Sequence, residues 1–445
     1  MAKVSPELMA KLNAQGAAMP EVPEVPTITL SADQQAAFDA AVAGENLFIT
    51  GPGGTGKTEV VNRIITGLRS SGKTVAVTAS TGIAAIRLSG CTIHSWLGTG
   101  ILKNPGELKK ALADHELYNA KKIEQRMKDA DVLVVDEVSM LSGDFLSMMD
   151  SWIKSCRKVS LKRFGGLQVI FTGDFLQLPP VEKRGDRFEY RYAFESPAWK
   201  ALKPAPIALR HVFRQDDEEF IGYLSKLRKG QVDEKMLTYF NARVDAKLED
   251  PTRLYARNDR VYSVNYAYLQ QLPGEKREYE ADIDSEDDRW AEKIVKDCIA
   301  DYIVELKVNA PVLFLRNNRE AGYINGERGT VVEMADGKVT VRKETGHVVE
   351  ARPETWELRD ADQKVRATLT QIPLKLAWAM TIHKSQGMTL SRMECDVAEC
   401  FAPGQTYVAL SRAKSIDGLA LSEEMESGHV EADPTLVAYC TELGI

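Results

Sequence analysis

The sequence has few cysteines, no long apolar run and no excess of basic residues. Six cysteines and six histidines occur among its 445 residues, and no two cysteines form a C-x-x-C pair. This usage argues against a disulfide framework or a zinc site and favours scattered thiols in a reducing compartment. Apolar stretches such as 132–135 fall far short of the about 20 residues that a membrane-spanning helix needs, so no membrane partner is expected.

The balance of charge limits how the protein can bind a charged partner. The 57 lysines and arginines and the 64 aspartates and glutamates give a formal net charge of −7. That balance excludes a protein that holds nucleic acid by bulk charge, but it is compatible with a local basic groove. With 44% hydrophobic and 27% charged residues, the chain is expected to be globular. Residues 1–30 lack an apolar core after a basic start, which predicts that the protein is not secreted.

Predicted strands and helices alternate through the first half of the chain. Residues 1–28 precede them, contain a proline-rich run and are expected to form a flexible leader. The pattern then predicts a helix at 33–42 and short apolar strands at 46–50, 75–78, 132–135 and 169–172. Such alternation predicts an α/β fold with a parallel sheet covered on both faces. In these folds, sites form at the carboxyl ends of the strands.

The second half is predicted to hold another α/β unit that is interrupted by a β-rich insertion. Strands at 253–256 and 375–381 fit the α/β unit, and the acidic stretch 278–288 is predicted to be a solvated surface loop. Short runs separated by turns predict the strands of the insertion, at 311–315, 329–334, 338–343 and 347–352.

A glycine-rich turn after the first predicted strand carries a nucleotide-binding motif. The segment 51–58, Gly-Pro-Gly-Gly-Thr-Gly-Lys-Thr, fits G-x-x-x-x-G-K-[ST] and lies between a strand and a helix, as the motif requires. Lys57 is predicted to reach the β- and γ-phosphates of ATP, and the Thr58 hydroxyl to bind Mg²⁺. Backbone N–H groups of the turn would surround the phosphates. These groups belong to Gly51, Gly53, Gly54, Thr55 and Gly56.

Two carboxylates follow the predicted strand 132–135. Asp136 stands where the second Mg²⁺ partner is usually found beside such a turn, and Glu137 is placed to orient and deprotonate the attacking water. Hydrolysis also needs positive charge at the γ-phosphate, for which Arg214 and Arg412 are the candidates. These two assignments depend on the resemblance that follows.

A series of motifs gives the chain a specific resemblance to one helicase family. The chain resembles superfamily 1 helicases, and within them the Pif family of 5′-to-3′ DNA helicases. The motifs run in order over most of the chain, at 30–34, 51–58, 78–85, 92–96, 136–140, 164–168, 173–180, 212–215, 325–326, 381–387 and 407–412. The stretch 145–181 resembles a signature of the Pif family itself.

The resemblance implies two RecA-like P-loop NTPase motor domains with small insertions. It assigns 29–205 to the first motor domain, with a small wedge near 97–125, and 206–308 together with 371–445 to the second. The β-rich insertion at 309–370 corresponds to an SH3-like module. ATP would then bind between the two motor domains, and the protein would translocate on single-stranded DNA and unwind duplex DNA.

The resemblance also implies roles for residues around ATP. Gln34 would contact the adenine, and Gln177 would sense the γ-phosphate and couple it to DNA. Arg214 and Arg412 would reach across from the second motor domain as arginine fingers. Gln386 and Gly387 would link that domain to both nucleotide and strand.

The predicted contacts to DNA lie in loops of both motor domains. Trp96 is either a base-stacking residue or a core residue. The family's usual Thr-Asn pair appears here as Arg257-Asn258, which makes a phosphate contact by Asn258 less certain. The full set is Ser80, Thr81, Thr92, His94, Trp96, Asn258, Asn325, Thr381, His383 and Lys384.

Several alternatives remain open at the level of sequence. These are a RecD-like or phage Dda-like helicase, an RNA-directed superfamily 1 motor, and a non-unwinding ATPase stimulated by single-stranded DNA. The expected partners are single-stranded DNA and duplex or fork DNA, with a monomeric motor that meets single-strand-binding or replication proteins. The resemblance implies roles in DNA replication, repair or recombination, and a cytoplasmic (bacterial or phage-like) or nucleoid-associated protein.

Overall fold

The fold is known for most of the chain from a computed structural model. It describes residues 29–99, 105–106, 120–180, 187–244, 246–318, 320–323, 325–360 and 364–445. The predicted leader at 1–28 and most of the predicted wedge near 97–125 lie outside the described residues. No helix within these ranges is long and apolar enough to cross a membrane.

A six-stranded parallel sheet forms the centre of the first lobe. Its order is β3-β2-β4-β5-β1-β6. The strands are β1 (Leu47–Thr50), β2 (Val75–Ala79), β3 (Cys91–Thr92), β4 (Val132–Asp136), β5 (Gln168–Thr172) and β6 (Ala205–Ala208). The helices are α1 (Ala32–Val42), α2 (Lys57–Ser70), α3 (Gly82–Arg87), α4 (Ile93–Leu97), α5 (Ala120–Asp129), α6 (Gly143–Arg157) and α7 (Pro197–Leu202).

The central strands are mainly apolar and buried along almost their whole length, because both faces of this sheet are covered. On β4, Val132 and Val134 face one core with α1 and α2, whereas Leu133 and Val135 face the other core with α4, α6 and α7. Strands buried on both faces carry continuous rather than alternating apolar runs. The polar residues at the carboxyl ends of the strands are therefore the first that can form a site.

The second lobe is built on a smaller parallel sheet. Four strands pair in the order β18-β7-β19-β20, with β7 (Thr252–Tyr255), β18 (Ala379–Thr381), β19 (Met393–Cys395) and β20 (Leu419–Leu421). Its helices are α8 (Glu218–Arg228), α9 (Glu234–Asn241), α10 (Asn258–Gln271) and α12 (Gln405–Leu410). The predicted second α/β unit is confirmed, but the predicted strand at 375–381 was wrong as a single strand. Only its end, β18, joins this parallel sheet, whereas 374–376 pairs with another sheet.

Antiparallel strands form the β-rich part. A five-stranded sheet has the order β14-β13-β12-β11-β17, with β11 (Pro311–Phe314), β12 (Arg328–Ala335), β13 (Lys338–Lys343), β14 (Val348–Ala351) and β17 (Leu374–Leu376). A three-stranded sheet has the order β15-β16-β9, with β9 (Asp282–Ser285), β15 (Glu354–Arg359) and β16 (Val365–Gln371). In addition, β8 (Arg277–Glu280) pairs with β10 (Ile303–Leu306), and α11 (Asp288–Asp297) contacts β16.

The β-rich part draws on strands from outside the predicted 309–370. Both β9 and β17 lie beyond that range, yet they pair with β16 and β11. The prediction of a surface loop at 278–288 was wrong, because β8 and β9 occupy much of this stretch. Alternate side chains of β9 are exposed, so its acidic residues face water while the backbone pairs. An SH3-like architecture and the exact domain bounds stay predictions.

The last helix, α13 (Pro434–Glu442), packs against the first lobe although it follows the second in sequence. Leu436 and Cys440 belong to the core of the first lobe. The rings of Phe194 and Tyr439 stack with centroids 3.8 Å apart, and Trp199 Nε1 donates a hydrogen bond to Tyr439 Oη at 2.9 Å. The chain therefore crosses back between the lobes at its carboxyl end.

Candidate nucleotide and strand-binding site

The predicted phosphate-binding turn joins β1 to α2. Gly54 and Gly56 have φ angles of +89° and +77°, which most other residues adopt only at a cost. The Lys57 ammonium donates to the carbonyl oxygens of Gly51 at 2.8 Å and Pro52 at 3.0 Å. Burial lowers the pKa of Lys57, although nearby carboxylates act in the opposite direction. The lysine thus lies folded over the turn that would receive phosphates.

Gln34 fixes the position of this turn from α1. Its Oε1 atom accepts a hydrogen bond from the Ser31 N–H, and its Nε2 atom donates to the Thr55 carbonyl at 3.1 Å. A Cβ built on Gly56 would approach Gln34 Nε2 to 2.6 Å, so the contact depends on glycine there. Gln34 therefore lies at the turn, and its contact with the adenine stays a prediction.

Asp136 and Glu137 end β4 beside the turn. Asp136 Oδ1 accepts the Glu137 N–H at 3.0 Å, whereas Oδ2 is buried and has no hydrogen-bond partner among the described residues. Burial and the neighbouring Glu137 raise the pKa of Asp136 to about 6. A buried carboxylate oxygen without a partner suits a cation or its water ligands. The pair Thr58 and Asp136 therefore fits a Mg²⁺ site.

Glu137 contacts a residue that the sequence did not single out. Its φ of +53° is left-handed, and its Oε1 atom lies 3.8 Å from Arg87 Nη2 at the end of α3. A Cβ built on Gly387 of the second lobe would overlap the same guanidinium, and Gly387 has a φ of +78°. Arg87 thus lies between the candidate general base and the second lobe.

Arg214 and Arg412 both extend over the turn from outside the first motor domain. The nearest atoms to a Cβ built on Gly53 would be Arg412 Nη2 at 2.8 Å and Arg214 Nη1 at 3.1 Å. Arg412 is only 1% exposed, and burial lowers its pKa to about 10, which leaves it charged at neutral pH. Its Nε donates to the Val408 carbonyl, which aims the guanidinium at the turn.

Three further hydrogen bonds fix the positions of Arg214 and of the turn. Arg214 Nε donates to Thr389 Oγ1 at 3.0 Å and its Nη1 donates to the Ser411 carbonyl at 2.9 Å. The Gly53 N–H donates to Tyr407 Oη at 3.0 Å. Tyr407 therefore contacts the first lobe at the turn, whereas Thr389 and Ser411 hold Arg214 within the second lobe.

A buried network links Gln177 to the second lobe. Gln177 Nε2 donates to Asp174 Oδ2 at 3.1 Å, and Asp174 Oδ1 lies 2.8 Å from Arg228 Nη2 of α8. Burial opposes ionisation of Asp174, but the charge and hydrogen bonds of Arg228 outweigh it and lower its pKa. Gln177 is thus held by an ion pair that spans the lobes.

These groups line a single cleft of about 480 Å³. The first lobe contributes Lys57, Thr58, Glu137 and Gln177, and the second contributes Arg214, Gln386, Gly387 and Arg412. Asn317 and Asn325 also line it. Asn325 was predicted to contact DNA, but it faces the nucleotide cleft, and its Oδ1 atom is buried without a partner among the described residues.

The first-lobe candidates for strand binding lie at the ends of β2 and β3. Ser80 follows β2, and its N–H donates to the Asp136 carbonyl at 3.0 Å. The hydroxyls of Thr81 and Thr92 cap α3 and α4. The His94 ring lies 4.4 Å from Phe145, and burial, assisted by Lys293, lowers the pKa of His94 to about 4.

The other candidates differ in how much of each side chain is available. Trp96 is 1% exposed within the first-lobe core, so neither face of its ring is free for a base. Of the two roles that the sequence left open for Trp96, the structure shows the core residue. Thr381 is buried and its hydroxyl accepts the Lys384 N–H. His383 and Lys384 are half-buried, whereas Asn258 is exposed at the start of α10.

Four residues of the site were not found from the sequence: Arg87, Asp174, Arg228 and Tyr407. Asp174 and Tyr407 lie inside the motifs at 173–180 and 407–412, so those motifs could have indicated that both residues belong to the site. Arg87 and Arg228 occur near the ends of helices, where basic side chains are ordinary. Only the folded chain places them in the cleft and the interlobe network.

Comparison with known proteins gives one consistent family. A model described as PIF1-like helicase matches residues 29–237. The ATP-dependent DNA helicase Pif1 of Bdellovibrio bacteriovorus is 35% identical over 397 residues, covering 88% of each chain. The human ATP-dependent DNA helicase PIF1 is 36% identical over 422 residues, 93% of this chain, and the chain spans 64% of that relative's length.

Solved structures agree with that family. Bacteroides sp Pif1 in complex with ADP-AlF4 matches with a TM-score of 0.81 and 28% identity, over 94% of this chain and 97% of that one. Bacteroides Pif1 bound to ssDNA matches with a TM-score of 0.62 and 29% identity, over 93% and 97%. The second score is lower although both structures are of Bacteroides Pif1.

Proposed function

We propose, since the chain belongs to the PIF1-like helicase family, that this ATP-dependent DNA helicase translocates on single-stranded DNA and unwinds duplex DNA from 5′ to 3′. The observation that carries the proposal is the position of Arg214 and Arg412, which extend over the phosphate-binding turn of the first lobe. Cations from one lobe and a phosphate-binding turn from the other couple hydrolysis to lobe movement.

The roles at the nucleotide follow from the cleft. Backbone N–H groups of 51–56 would hold the phosphates of ATP, with Lys57 leaving the Gly51 and Pro52 carbonyls to reach the β- and γ-phosphates. Thr58 and Asp136 would hold Mg²⁺, which, when bound, neutralises charge that develops on the phosphates. Glu137 would accept a proton from the attacking water.

The second lobe would complete the site only when the lobes are closed. Arg214 and Arg412 would stabilise negative charge on the transferring phosphoryl group, an effect worth about 10³–10⁵ in rate. Gln177 is hydrogen-bonded to Asp174, which pairs with Arg228. A change at the γ-phosphate would therefore be transmitted to the second lobe. Loss of the γ-phosphate would remove the anion that draws the two lobes together.

The strand would bind across the carboxyl ends of both sheets. Ser80, Thr81, Thr92 and His94 would position phosphates on the first lobe, and Asn258, Thr381, His383 and Lys384 on the second. Short hydroxyls and backbone groups position a strand without reading its sequence. Because Ser80 also contacts the Asp136 backbone, strand binding and the Mg²⁺ site share one structural element.

Further assignments are part of the same proposal. The two RecA-like motor domains would comprise 29–205 and 206–308 with 371–445, except that β6 and α13 pack with the first lobe. The SH3-like module would comprise 309–370 together with β9 and β17. We expect a monomeric motor that works on single-stranded and fork DNA in replication, repair or recombination, in contact with single-strand-binding or replication proteins. A cytoplasmic or nucleoid-associated location would suit this work.

Strand displacement on tailed duplexes tests the proposal. A duplex with a 5′ single-stranded tail should be separated in the presence of ATP and Mg²⁺, whereas the same duplex with a 3′ tail should not. Lys57→Ala should abolish displacement, and Lys73→Ala, at an exposed position of the first lobe, should not. ATP hydrolysis that single-stranded DNA stimulates without any displacement would instead support a non-unwinding ATPase.

A further inference from the structure

An open groove with two exposed aromatic rings lies beside the predicted strand-binding residues of the second lobe. The groove has a volume of about 570 Å³ and runs between α10, β10 and β17. Tyr262 and Tyr266 line it from α10 and are 73% and 48% exposed. Single exposed aromatic residues are ordinary, but two on one face of a groove mark a binding surface.

The two rings are arranged as a ladder along the helix. Their centroids lie 6.1 Å apart and their planes differ by 13°. This spacing is the rise of four residues in an α-helix, about 6 Å, so the helix itself sets it. Tyr268 on the same helix differs, because its ring already stacks on Trp378 at 5.8 Å and lies beneath Arg253.

The helix that carries the ladder is fixed to the strand that leads to Lys384. Asn265 donates from Nδ2 to the Ala379 carbonyl at 2.8 Å and accepts the Ala379 N–H at 2.9 Å. Ala379 begins β18, which ends at Thr381 just before Lys384. The rings and the ammonium of Lys384 are therefore held on one rigid platform.

The charge of the groove suits an anionic backbone. Two acidic groups line it, but Asp301 pairs with Lys375 at 2.8 Å and Glu305 pairs with Lys276 at 2.5 Å. No ion pair to Lys384 occurs within the described ranges. The pKa of Lys384 is lowered first by the nearby Lys375 charge and then by burial. Because Lys375 is already paired with Asp301, Lys384 is the cation that remains for a phosphate among the described residues of the groove.

We propose that Tyr262 and Tyr266 extend the path of single-stranded DNA by stacking on bases beyond those held by the loop at 381–384. The proposal rests on the proposed function. Aromatic side chains bind bases of any sequence because every base offers a π-face, and each such stack is worth about 1–3 kcal/mol. Asn258 and Lys384 line the same groove, which makes the ladder continuous with the predicted phosphate contacts.

Paired substitutions separate stacking from simple apolar packing. The full chain is titrated into a labelled oligothymidylate of about 12 nucleotides at fixed salt, and binding is read from fluorescence anisotropy. Y262L/Y266L should weaken binding at least about tenfold, because leucine keeps apolar bulk but has no π-face. Y262F/Y266F keeps both rings and should bind within about twofold of the unchanged chain.

An oligomer of the same length with abasic sugars tests the cause of the loss. It keeps the phosphates but offers no bases, so Y262L/Y266L and the unchanged chain should bind it equally. Equal binding of oligothymidylate by Y262L/Y266L would overturn the proposal, and so would the same loss on the abasic strand. Retention of binding by Y262L/Y266L with loss in Y262A/Y266A would show that apolar bulk rather than base stacking holds the strand, and would also overturn it.

Two controls keep the outcome interpretable. Both tyrosines are exposed, so the melting temperature should not change in any variant. The unchanged chain must bind oligothymidylate in the same assay. Failure of that binding would count against the proposed function, whereas binding that is indifferent to the tyrosines would count against the groove alone.

Discussion

Asp174 of the first lobe and Arg228 of the second form a buried ion pair across the interlobe boundary. Asp174 Oδ1 and Arg228 Nη2 are 2.8 Å apart, and the side chains are 0% and 3% exposed. The guanidinium also donates from Nε to both carboxylate oxygens. A buried pair of this kind is weak evidence for stability, but each partner is costly to remove alone.

Removing one partner should therefore destabilise the protein strongly. Arg228→Met leaves Asp174 buried and unpaired, and we expect a loss of about 3–5 kcal/mol, read as a lower midpoint of chemical unfolding. The double variant D174N/R228M should lose less than the sum of the two single variants, because it leaves no buried charge, whereas each single variant does.

A surface pair on the same helix provides the control. Lys226 pairs with Asp233 at 2.6 Å with side chains that are 43% and 45% exposed, and Lys226→Ala should leave the midpoint almost unchanged. The pKa of Asp174 is lowered by Arg228, so its stabilising contribution is complete above the ordinary carboxyl pKa. That contribution is lost as the pH falls through the lowered value, and D174N should remove this part of the acid sensitivity.

His94 should make the first lobe sensitive to mild acid. Burial lowers its pKa to about 4 from an ordinary 6.5. Between these two pH values His94 is therefore protonated in the unfolded chain but neutral in the folded chain. Stability should therefore fall as the pH drops from about 6.5 to about 4, by about 3 kcal/mol in total. His94→Phe should flatten this part of the profile, whereas His347→Gln, at an exposed position, should not. An unchanged profile in His94→Phe would exclude a buried neutral His94.

Gly404 should be needed for the approach of the lobes. It has a φ of +75°, and a Cβ there would lie 2.8 Å from the Leu176 carbonyl oxygen and overlap that of Gln177. Gly404→Ala should hold the lobes apart at Gln177 and lower the stimulation of ATP hydrolysis by single-stranded DNA about tenfold. Gly428→Ala meets nothing within 4 Å and should behave as the unchanged chain. Full stimulation in Gly404→Ala would show that this contact is dispensable.

The strands and the phosphate-binding turn of the first lobe were predicted well because each is recognisable from a short stretch of sequence. The runs at 75–78, 132–135 and 169–172 correspond to β2, β4 and β5 within one residue at each end. A strand buried on both faces must be apolar throughout, and a phosphate-binding turn must be rich in glycine. The Asp136-Glu137 pair follows the strand for the same reason, since polar residues begin where the sheet ends.

Contacts between distant segments were beyond the sequence patterns. The strand β9 was assigned to a loop because its acidic residues are typical of a solvated loop. The pairing that makes it a strand is with β16, which lies about 80 residues later. Nothing in Arg228 itself indicates a partner on the other lobe, and nothing in α13 indicates that it packs beside Phe194 and Trp199. Asn325 lines the nucleotide cleft because the turn before β12 lies against Met388 and Thr389, and its contact with DNA stays a prediction.

The central claim is that Arg214 and Arg412, which both follow β6 in the sequence, act on a nucleotide held by the turn at 51–58. Steady-state ATP hydrolysis with saturating single-stranded DNA measures it most directly. Arg412→Ala and Arg214→Ala should each lower kcat by about 10³-fold or more, with ATP binding changed far less, because the charge acts mainly in the transition state. Arg210→Ala, at a side chain that is 72% exposed, should have no such effect.

A folded control is needed because Arg412 is buried. Arg412→Lys keeps a charge but not the planar fork, and it should melt near the unchanged chain while kcat still falls. The account predicts low kcat in every variant of Arg412 and Arg214 that remains folded. A kcat within about twofold of the unchanged chain, in variants that melt normally, would contradict it.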